Sequence, residues 1–280
     1  STDTFGHHFR TAISKPGQGV TTLDFNEDQQ IDIYVSNFYQ VRNQLWENKG
    51  PSFDSWSFVS SPWTVSSWNK GNGMGSAVGD FDNDGHLDIF VLNYSEPDQP
   101  PSALIRNLGP EGSYQFEDQQ RFDGDDWVQS YSSAAVGDVD NDGDLDLFIT
   151  ALSSGDFSRL YENPGVGSSE PWNFTNVTPG TGLTGISGTS QAAFADIDND
   201  GDLDLMTGGS LYTNDGNFNN WLRVKLTGDG VNVNTTALGS IVRADLGGGS
   251  ILTRQVEGAT GLANQNEQTL HFGLGSFSGK

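Results

Sequence analysis

Asp138-Val139-Asp140-Asn141-Asp142-Gly143-Asp144-Leu145-Asp146 places five aspartates in nine residues, with glycine at the sixth place and leucine at the eighth. The same spacing recurs as Asp80, Asp82, Asp84, Gly85, His86, Leu87 and Asp88, and as Asp196, Asp198, Asp200, Gly201, Asp202, Leu203 and Asp204. A weaker version carries Asp24, Asn26, Asp28, Gln29, Gln30, Ile31 and Asp32. The four starts lie 56, 58 and 58 residues apart, which is a structural period. Other features keep the same phase. A small-residue approach precedes each stretch (Gly17 and Gly19, Gly73 and Gly75, Ser132 and Ser133, Gly188 and Ser190). A Leu-x-x-Asn phrase follows each, ending at Asn48, Asn107, Asn163 and Asn214.

Between these marks lie short β-rich runs at 31–35, 87–92 and 145–150, bounded by Gly, Asp and Asn. Aromatic runs follow in the first three units, at 53–59, 114–116 and 172–177. The 36 glycines and 10 prolines are spread along the chain and leave no long run of helix formers. The pattern predicts an all-β fold with tight turns. Each unit supplies about four strands, the content of one propeller blade. The expectation is therefore a β-propeller-like array of four calcium-loop blades plus a small C-terminal β-domain.

The acidic stretches read as calcium loops, one Ca²⁺ each and up to four in all. Side chains at places one, three, five and nine are hard oxygen donors, and the carbonyl at place seven completes the shell. The ligand sets are Asp24, Asn26, Asp28, Gln30 and Asp32; Asp80, Asp82, Asp84, His86 and Asp88; Asp138, Asp140, Asp142, Asp144 and Asp146; and Asp196, Asp198, Asp200, Asp202 and Asp204. Glycine at place six permits a sharp turn, and the apolar residue at place eight is expected to anchor the loop in the core. The twelfth place holds Val35, Val91, Ile149 and Thr207, so the bidentate glutamate of an EF-hand is missing. Without a cation the crowded carboxylates would repel one another. Loop one, with Asn26 for a carboxylate and Gln29 for glycine, is expected to bind most weakly.

Thirty-seven acidic residues stand against 13 basic ones, giving a net charge of −24. A phosphate backbone would be repelled, which argues against nucleic acid, and no apolar run is long enough to span a membrane as a helix. The charge is unevenly placed. Residues 1–216 carry a net −25 and residues 217–280 a net +1, which marks two domains at that boundary. In the tail, Leu222, Val224 and Leu226 are expected to face a core while Arg223 and Lys225 face water.

With these motifs in view, the chain resembles the FG-GAP/VCBS repeats of integrin-like β-propellers. The tail phrases 221–228, 237–242 and 270–275 are similar to the ASPIC/UnbV domain, and the whole resembles the family of cartilage acidic protein. Integrin-like propellers have seven blades against four units here, and ASPIC domains run on past the last phrase. This predicts either a short protein or a fragment, and the start at Ser1 predicts processing or trimming.

A catalytic constellation is not evident. His7 and His8 are a weak transition-metal pair, His86 occupies place seven of a loop with its side chain turned away, and His271 reads as structural. Neither a Gly-x-Ser-x-Gly elbow nor a phosphate-binding Walker loop occurs. The aromatics Phe53, Trp56, Phe58, Trp63 and Trp68 read as blade packing before sugar stacking. The expectation is a secreted, non-enzymatic, calcium-binding protein for adhesion or matrix contact, with an extracellular protein or glycan ligand or with self-association. A lectin or polysaccharide lyase and a self-assembling structural subunit are the alternatives. The N-terminal run 5–13 is expected to pair with the end of the array or the tail.

Overall fold

The structure, a computed structural model, describes residues 17–39, 41–50, 56–58, 71–94, 100–120, 129–165, 168 and 172–279. The strands follow the repeat. β1 (Gly17–Leu23), β2 (Asp32–Asn37), β3 (Gln44–Asn48) and β4 (Trp56–Phe58) form one antiparallel meander. β5 (Gly73–Gly79), β6 (Asp88–Asn93), β7 (Ala103–Asn107) and β8 (Phe116–Gln120) form the second. β9 (Tyr131–Gly137), β10 (Asp146–Ala151), β11 (Arg159–Glu162) and β12 (Thr175–Asn176) form the third. The fourth has three strands, β13 (Ala192–Ala195), β14 (Asp204–Thr207) and β15 (Ser210–Tyr212). The fold is all-β, and the acidic loop joins the first strand to the second in every meander.

Alternation along the strands decides which neighbour each side chain meets. On β6, Ile89 and Val91 pack toward the first meander, while Phe90 and Leu92 pack toward the third. On β10, Leu147 and Ile149 face the second meander and Phe148 faces the fourth. The inner strands of consecutive meanders lie side by side at backbone distance. A Cβ on Gly19 would meet the Met74 carbonyl at 2.7 Å, and one on Gly75 the Ser132 carbonyl at 2.6 Å, so this approach requires glycine. Gly19, Gly75 and Ser133 of the small-residue phrases are thus places where inner strands touch, whereas Gly188 of the fourth phrase lies before β13 in open space. Aromatic pairs fill the outer part of two junctions: Phe25 with Phe116 and Phe81 with Phe174, each at 6.1 Å between ring centres.

The Leu-x-x-Asn asparagine ties one repeat to the one before it. Asn107 Nδ2 donates to the carbonyl of Phe25, Asn163 to Phe81 and Asn214 to Val139, at 2.8–2.9 Å. Each also donates to the carbonyl at place eight of its own loop, Leu87, Leu145 or Leu203. Its Oδ1 accepts the N–H two residues on, at Gly109, Gly165 or Gly216.

The tail contributes two antiparallel strand pairs. β16 (Asn220–Val224) pairs with β19 (Leu270–Gly275), and β17 (Ile241–Gly247) with β18 (Ser250–Gln255), over a small core of Leu252, Val256, Leu270 and Phe272. Between β18 and β19 the chain crosses the inner strands. Val20 N–H donates to the Gly261 carbonyl, Asn264 Nδ2 to Ala134, Asn266 Nδ2 to Val136, and Glu267 N–H to Phe194. Gln255 accepts from Asp24 N–H and donates to the Thr22 carbonyl. The tail thus bridges the first, third and fourth meanders. The expected pairing of residues 5–13 lies outside the described residues, as do His7, His8, Phe53, Trp63 and Trp68; of Trp56 and Phe58 only the β4 backbone is described.

One expectation for the tail is corrected. Leu222 is 43% exposed, and Arg223 is half-buried with its guanidinium on Asp196 and Glu267 instead of in water. Val224 and Leu226 do pack on the tail core, and Lys225 is exposed. The reason is electrostatic: the carboxylates of loop four lie beside β16 and draw the arginine inward.

The asparagine ties differ in reach, and this is measurable. Asn163→Ala strands two buried carbonyls, those of Phe81 and Leu145, and is expected to destabilise by ~1–3 kcal/mol in urea unfolding. Among the described residues Asn48 Nδ2 reaches only the Ile31 carbonyl of its own repeat, so Asn48→Ala should cost less. Equal losses would show that the inter-repeat bond adds nothing.

Candidate metal centres

Each loop is folded by its own carboxylates. The first aspartate accepts the N–H of the residue at place six: Gln29 on Asp24, Gly85 on Asp80, Gly143 on Asp138 and Gly201 on Asp196, at 2.9–3.1 Å. The third-place oxygen accepts the N–H of place five, and the fifth-place carboxylate the N–H of place seven. The ninth aspartate is held at both oxygens. Asp146 takes Val139 N–H at 2.9 Å and Asn163 N–H at 2.9 Å; Asp32, Asp88 and Asp204 repeat this with Phe25 and Asn48, Phe81 and Asn107, and Ile197 and Asn214. The apolar anchors Leu87, Leu145 and Leu203 are buried, whereas Ile31 is half-buried.

Two places in each loop take left-handed backbone. Gly85, Gly143 and Gly201 have φ of 94–106°, as the sequence predicts. Place four is also left-handed, at Asn83, Asn141 and Asn199 with φ of 52–64°, a requirement legible only in the preference of asparagine for that region. Loop one must place Glu27 at 57° and Gln29 at 69°. It therefore bears strain at both places, on the order of 1 kcal/mol each.

Carboxylate oxygens converge in three loops. Asp80, Asp82 and Asp88; Asp138, Asp140 and Asp146; and Asp196, Asp198 and Asp200 each offer ligand atoms within 4.8 Å of one another. No such carboxylate triple forms at loop one among the described residues. The donor set is all oxygen and strongly anionic, which fits Ca²⁺ and disfavours softer metals. Burial raises the metal-free carboxyls: Asp32, Asp80 and Asp142 to about 7, Asp82 and Asp138 to about 6, and Asp88 and Asp146 well above the usual range, with neighbouring aspartates adding to the effect. A divalent cation would offset both the lost hydration and the mutual repulsion.

Place seven does a second task. Its side chain meets place four of the loop before it: Asn83 Nδ2 donates to Asp144 Oδ1 and Asn141 Nδ2 to Asp202 Oδ1, both at 2.6 Å, and His86 Nδ1 lies 2.7 Å from Glu27 Oε1. His86, Asp144 and Asp202 are thus turned away from their own loops, leaving the backbone carbonyl as their donor to an ion. His271 is buried with Nε2 at 2.6 Å from Asn141 Oδ1, and burial with nearby Arg254 pushes it down to about 4.

Sequence reasoning missed the arginines. Arg106 places Nε 2.8 Å from Asp82 and Nη2 2.8 Å from Asp84; Arg223 meets Asp196 at 2.9 Å and also Glu267. Arg254 donates to the Gly143 carbonyl, and Arg243 to the Gly85 carbonyl beside Glu27. Arg106 sits inside a Leu-x-x-Asn phrase and the others lie in the net-positive tail, so the charge shift was the available signal.

This arrangement defines a class. The FG-GAP-like repeat family matches residues 24–91 and 138–207, and the ASPIC and UnbV family matches residues 230–279. The chain thus carries FG-GAP-like repeats followed by an ASPIC and UnbV segment. Among particular proteins it is similar to human cartilage acidic protein 1, 27% identical over 282 residues that cover 92% of this chain and 39% of the relative. The mouse protein is 28% identical, with 92% and 40% covered, so the chain spans about 40% of the length of these curated relatives. Of solved structures, the Vibrio cholerae biofilm matrix protein Bap1 aligns with a TM-score of 0.40 at 17% identity, covering 77% of this chain and 34% of that one.

Two outcomes follow for the loops. Chelation is expected to lower the melting temperature, and Asp142→Ala to reduce calcium binding and stability more than Asp28→Ala, by calorimetric melts and calcium titration of both variants. Tightest binding at loop one would reverse that ranking. The pH response should change sign with calcium. In chelator, folded carboxyls raised from 3.8 to about 6–7 bind more protons than the unfolded chain, so stability falls as pH rises between about 4 and about 7. With calcium the ionised form is required, and the stabilisation by calcium should grow over the same range. A chelated melt independent of pH across that window would show the carboxyls to be unperturbed.

Proposed function

We propose that this protein is a secreted, calcium-stabilised, propeller-like protein that binds or assembles outside cells and performs no catalysis. The observation that carries this reading is the three-fold recurrence of a converged carboxylate cluster on successive, laterally packed meanders. Adjacent inner strands and an acidic loop at the same end of every sheet are what propeller blades possess. Calcium abundant enough to fill such loops is extracellular, and the acidic surface repels nucleic acid. The carboxylates that could serve as acid and base are engaged by backbone N–H groups within their loops, which favours a structural over a catalytic role.

A glycan ligand is the second reading, favoured by a cleft of about 580 Å³ at the fourth meander lined by Ser187, Thr189, Ser190, Gln191, Asn264 and Gln265 among others. Its lining holds no ionisable side chain on a chain of net charge −24, so it suits a neutral hydroxylated molecule. The test is a glycan and matrix-protein array with and without calcium, alongside a polysaccharide-cleavage screen. Calcium-dependent retention without turnover is expected. Release of unsaturated oligosaccharides, abolished by one tyrosine or histidine substitution, would make the protein a lyase.

A further inference from the structure

We propose that Arg106 is a tethered cation for loop two: it holds two calcium-donor carboxylates while the ion is absent and must swing out for the ion to enter. Loop two then fills at a higher calcium concentration than loop three. The inference rests on the calcium reading proposed above and adds an order of filling to it.

The hydrogen bonds of loop two show which oxygens are left for an ion. Asp82 Oδ1 accepts Asp84 N–H, and Asp84 Oδ1 accepts His86 N–H. The second oxygen of each is the one available to a cation, and one guanidinium takes both. Arg106 Nε lies 2.8 Å from Asp82 Oδ2, and Nη2 lies 2.8 Å from Asp84 Oδ2. Loop three uses its amides in the same way, Asp140 Oδ1 accepting Asp142 N–H and Asp142 Oδ1 accepting Asp144 N–H. Its ion pair, Arg254 with Asp138 at 3.9 Å, leaves Asp140 and Asp142 clear among the described residues. Loop four meets Arg223 only at Asp196 Oδ2, an oxygen that already accepts Gly201 N–H, and Arg223 is shared with Glu267.

The position of Arg106 belongs to the repeat. Ile33 lies opposite Trp46, Ile89 opposite Ile105, Leu147 opposite Tyr161 and Leu205 opposite Tyr212, one register throughout. The next residue, just before each Leu-x-x-Asn asparagine, is therefore Glu47, Arg106, Glu162 or Thr213. It stands against the third place of the loop. Glu47 Oε1 accepts from Asn26 Nδ2 at 3.3 Å, and burial, followed by the charge of Asp140, raises the Glu162 carboxyl. One position thus sets an acid beside loop three and a competing cation beside loop two.

The arginine does not satisfy the loop as an ion would. In the other loops Oδ1 of the first aspartate accepts the place-five N–H: Asp28 on Asp24, Asp142 on Asp138 and Asp200 on Asp196. In loop two Asp84 N–H donates to Asp82 instead, and Asp80 Oδ1 is buried without a hydrogen bond. Thr253 lies beside Asp80, yet its hydroxyl makes no hydrogen bond of normal length. Asp80 shares the converged set with Asp82 and Asp88, so an ion held there would meet the carboxylate that Arg106 leaves unmatched. The Arg106 side chain is 34% exposed, which gives it a path into water.

The test is calorimetric calcium titration of the full chain, with melts in chelator and in saturating calcium. Arg106→Gln is expected to tighten one site by about tenfold or more, because the ion no longer displaces a charge-assisted fork. The same variant should melt lower in chelator and gain more from calcium than the natural chain. Arg106→Lys, which keeps the charge but not the fork, should fall between the two. Arg159→Gln, at the far end of β11 from its loop, makes the same change in net charge and should leave the sites as they were. In Arg106→Gln/Asp80→Asn the gain should vanish, which assigns it to loop two. The reciprocal Glu162→Arg should weaken loop three. Unchanged or weaker calcium binding in Arg106→Gln would overturn the proposal, as would an equal loss of melting temperature with and without calcium, the mark of a merely structural arginine. A natural chain that binds calcium but ignores these substitutions would overturn this inference alone; one that binds no calcium would overturn it together with the calcium reading.

Discussion

The ninth aspartate of each loop is the group on which the rest of the molecule hangs. Both oxygens of Asp146 accept backbone N–H groups, one from Val139 at the start of its loop and one from Asn163 at the end of β11. That one side chain therefore fixes the loop against two strands of its sheet. The same asparagine then reaches back to the Phe81 carbonyl in the preceding meander. The carboxylate is buried, so it could not stand there unpaired; hydrogen bonds from two amides offset part of the cost, and a cation bound in the loop would offset more. Loop, sheet and inter-repeat contact are in this sense a single bonded unit in the second, third and fourth repeats.

A chain so acidic must manage repulsion at the loop end of every sheet. Part of the answer is internal: amides aimed at the first, third, fifth and ninth places. Part comes from the tail, whose arginines reach the loop-four carboxylate Asp196 and the carbonyls of Gly85 and Gly143. The tail also crosses the inner strands with asparagine and backbone bonds, so charge neutralisation and mechanical bracing arrive on the same segment. This explains why residues 217–280 have a near-neutral charge while the array holds almost all of the acid.

The loops are joined laterally as well. Place four of one loop bonds place seven of the next, by Asn83 with Asp144 and Asn141 with Asp202; the first junction uses Glu27 with His86 instead. Place four is also left-handed, so asparagine there serves the backbone and the neighbour together. Loop one departs on all these counts: glutamate at place four, glutamine at place six, asparagine at place three.

The sequence alone determined the repeat, the all-β class and the position of every acidic loop. These follow from local chemistry: spacing sets which carboxylates share a turn, and alternation sets strand faces within about one residue of where β2, β6 and β10 begin. It also placed the buried anchors Leu87, Leu145 and Leu203. Only the tertiary structure decided which residues meet across repeats. The asparagine ties span about 75–82 residues, and the tail arginines reach loops up to 158 residues away, so no local pattern encodes them. Arg223 is the clearest instance. Strand alternation sends it to water, but the field of the loop-four carboxylates, brought close by packing of β16 on the array, turns it inward.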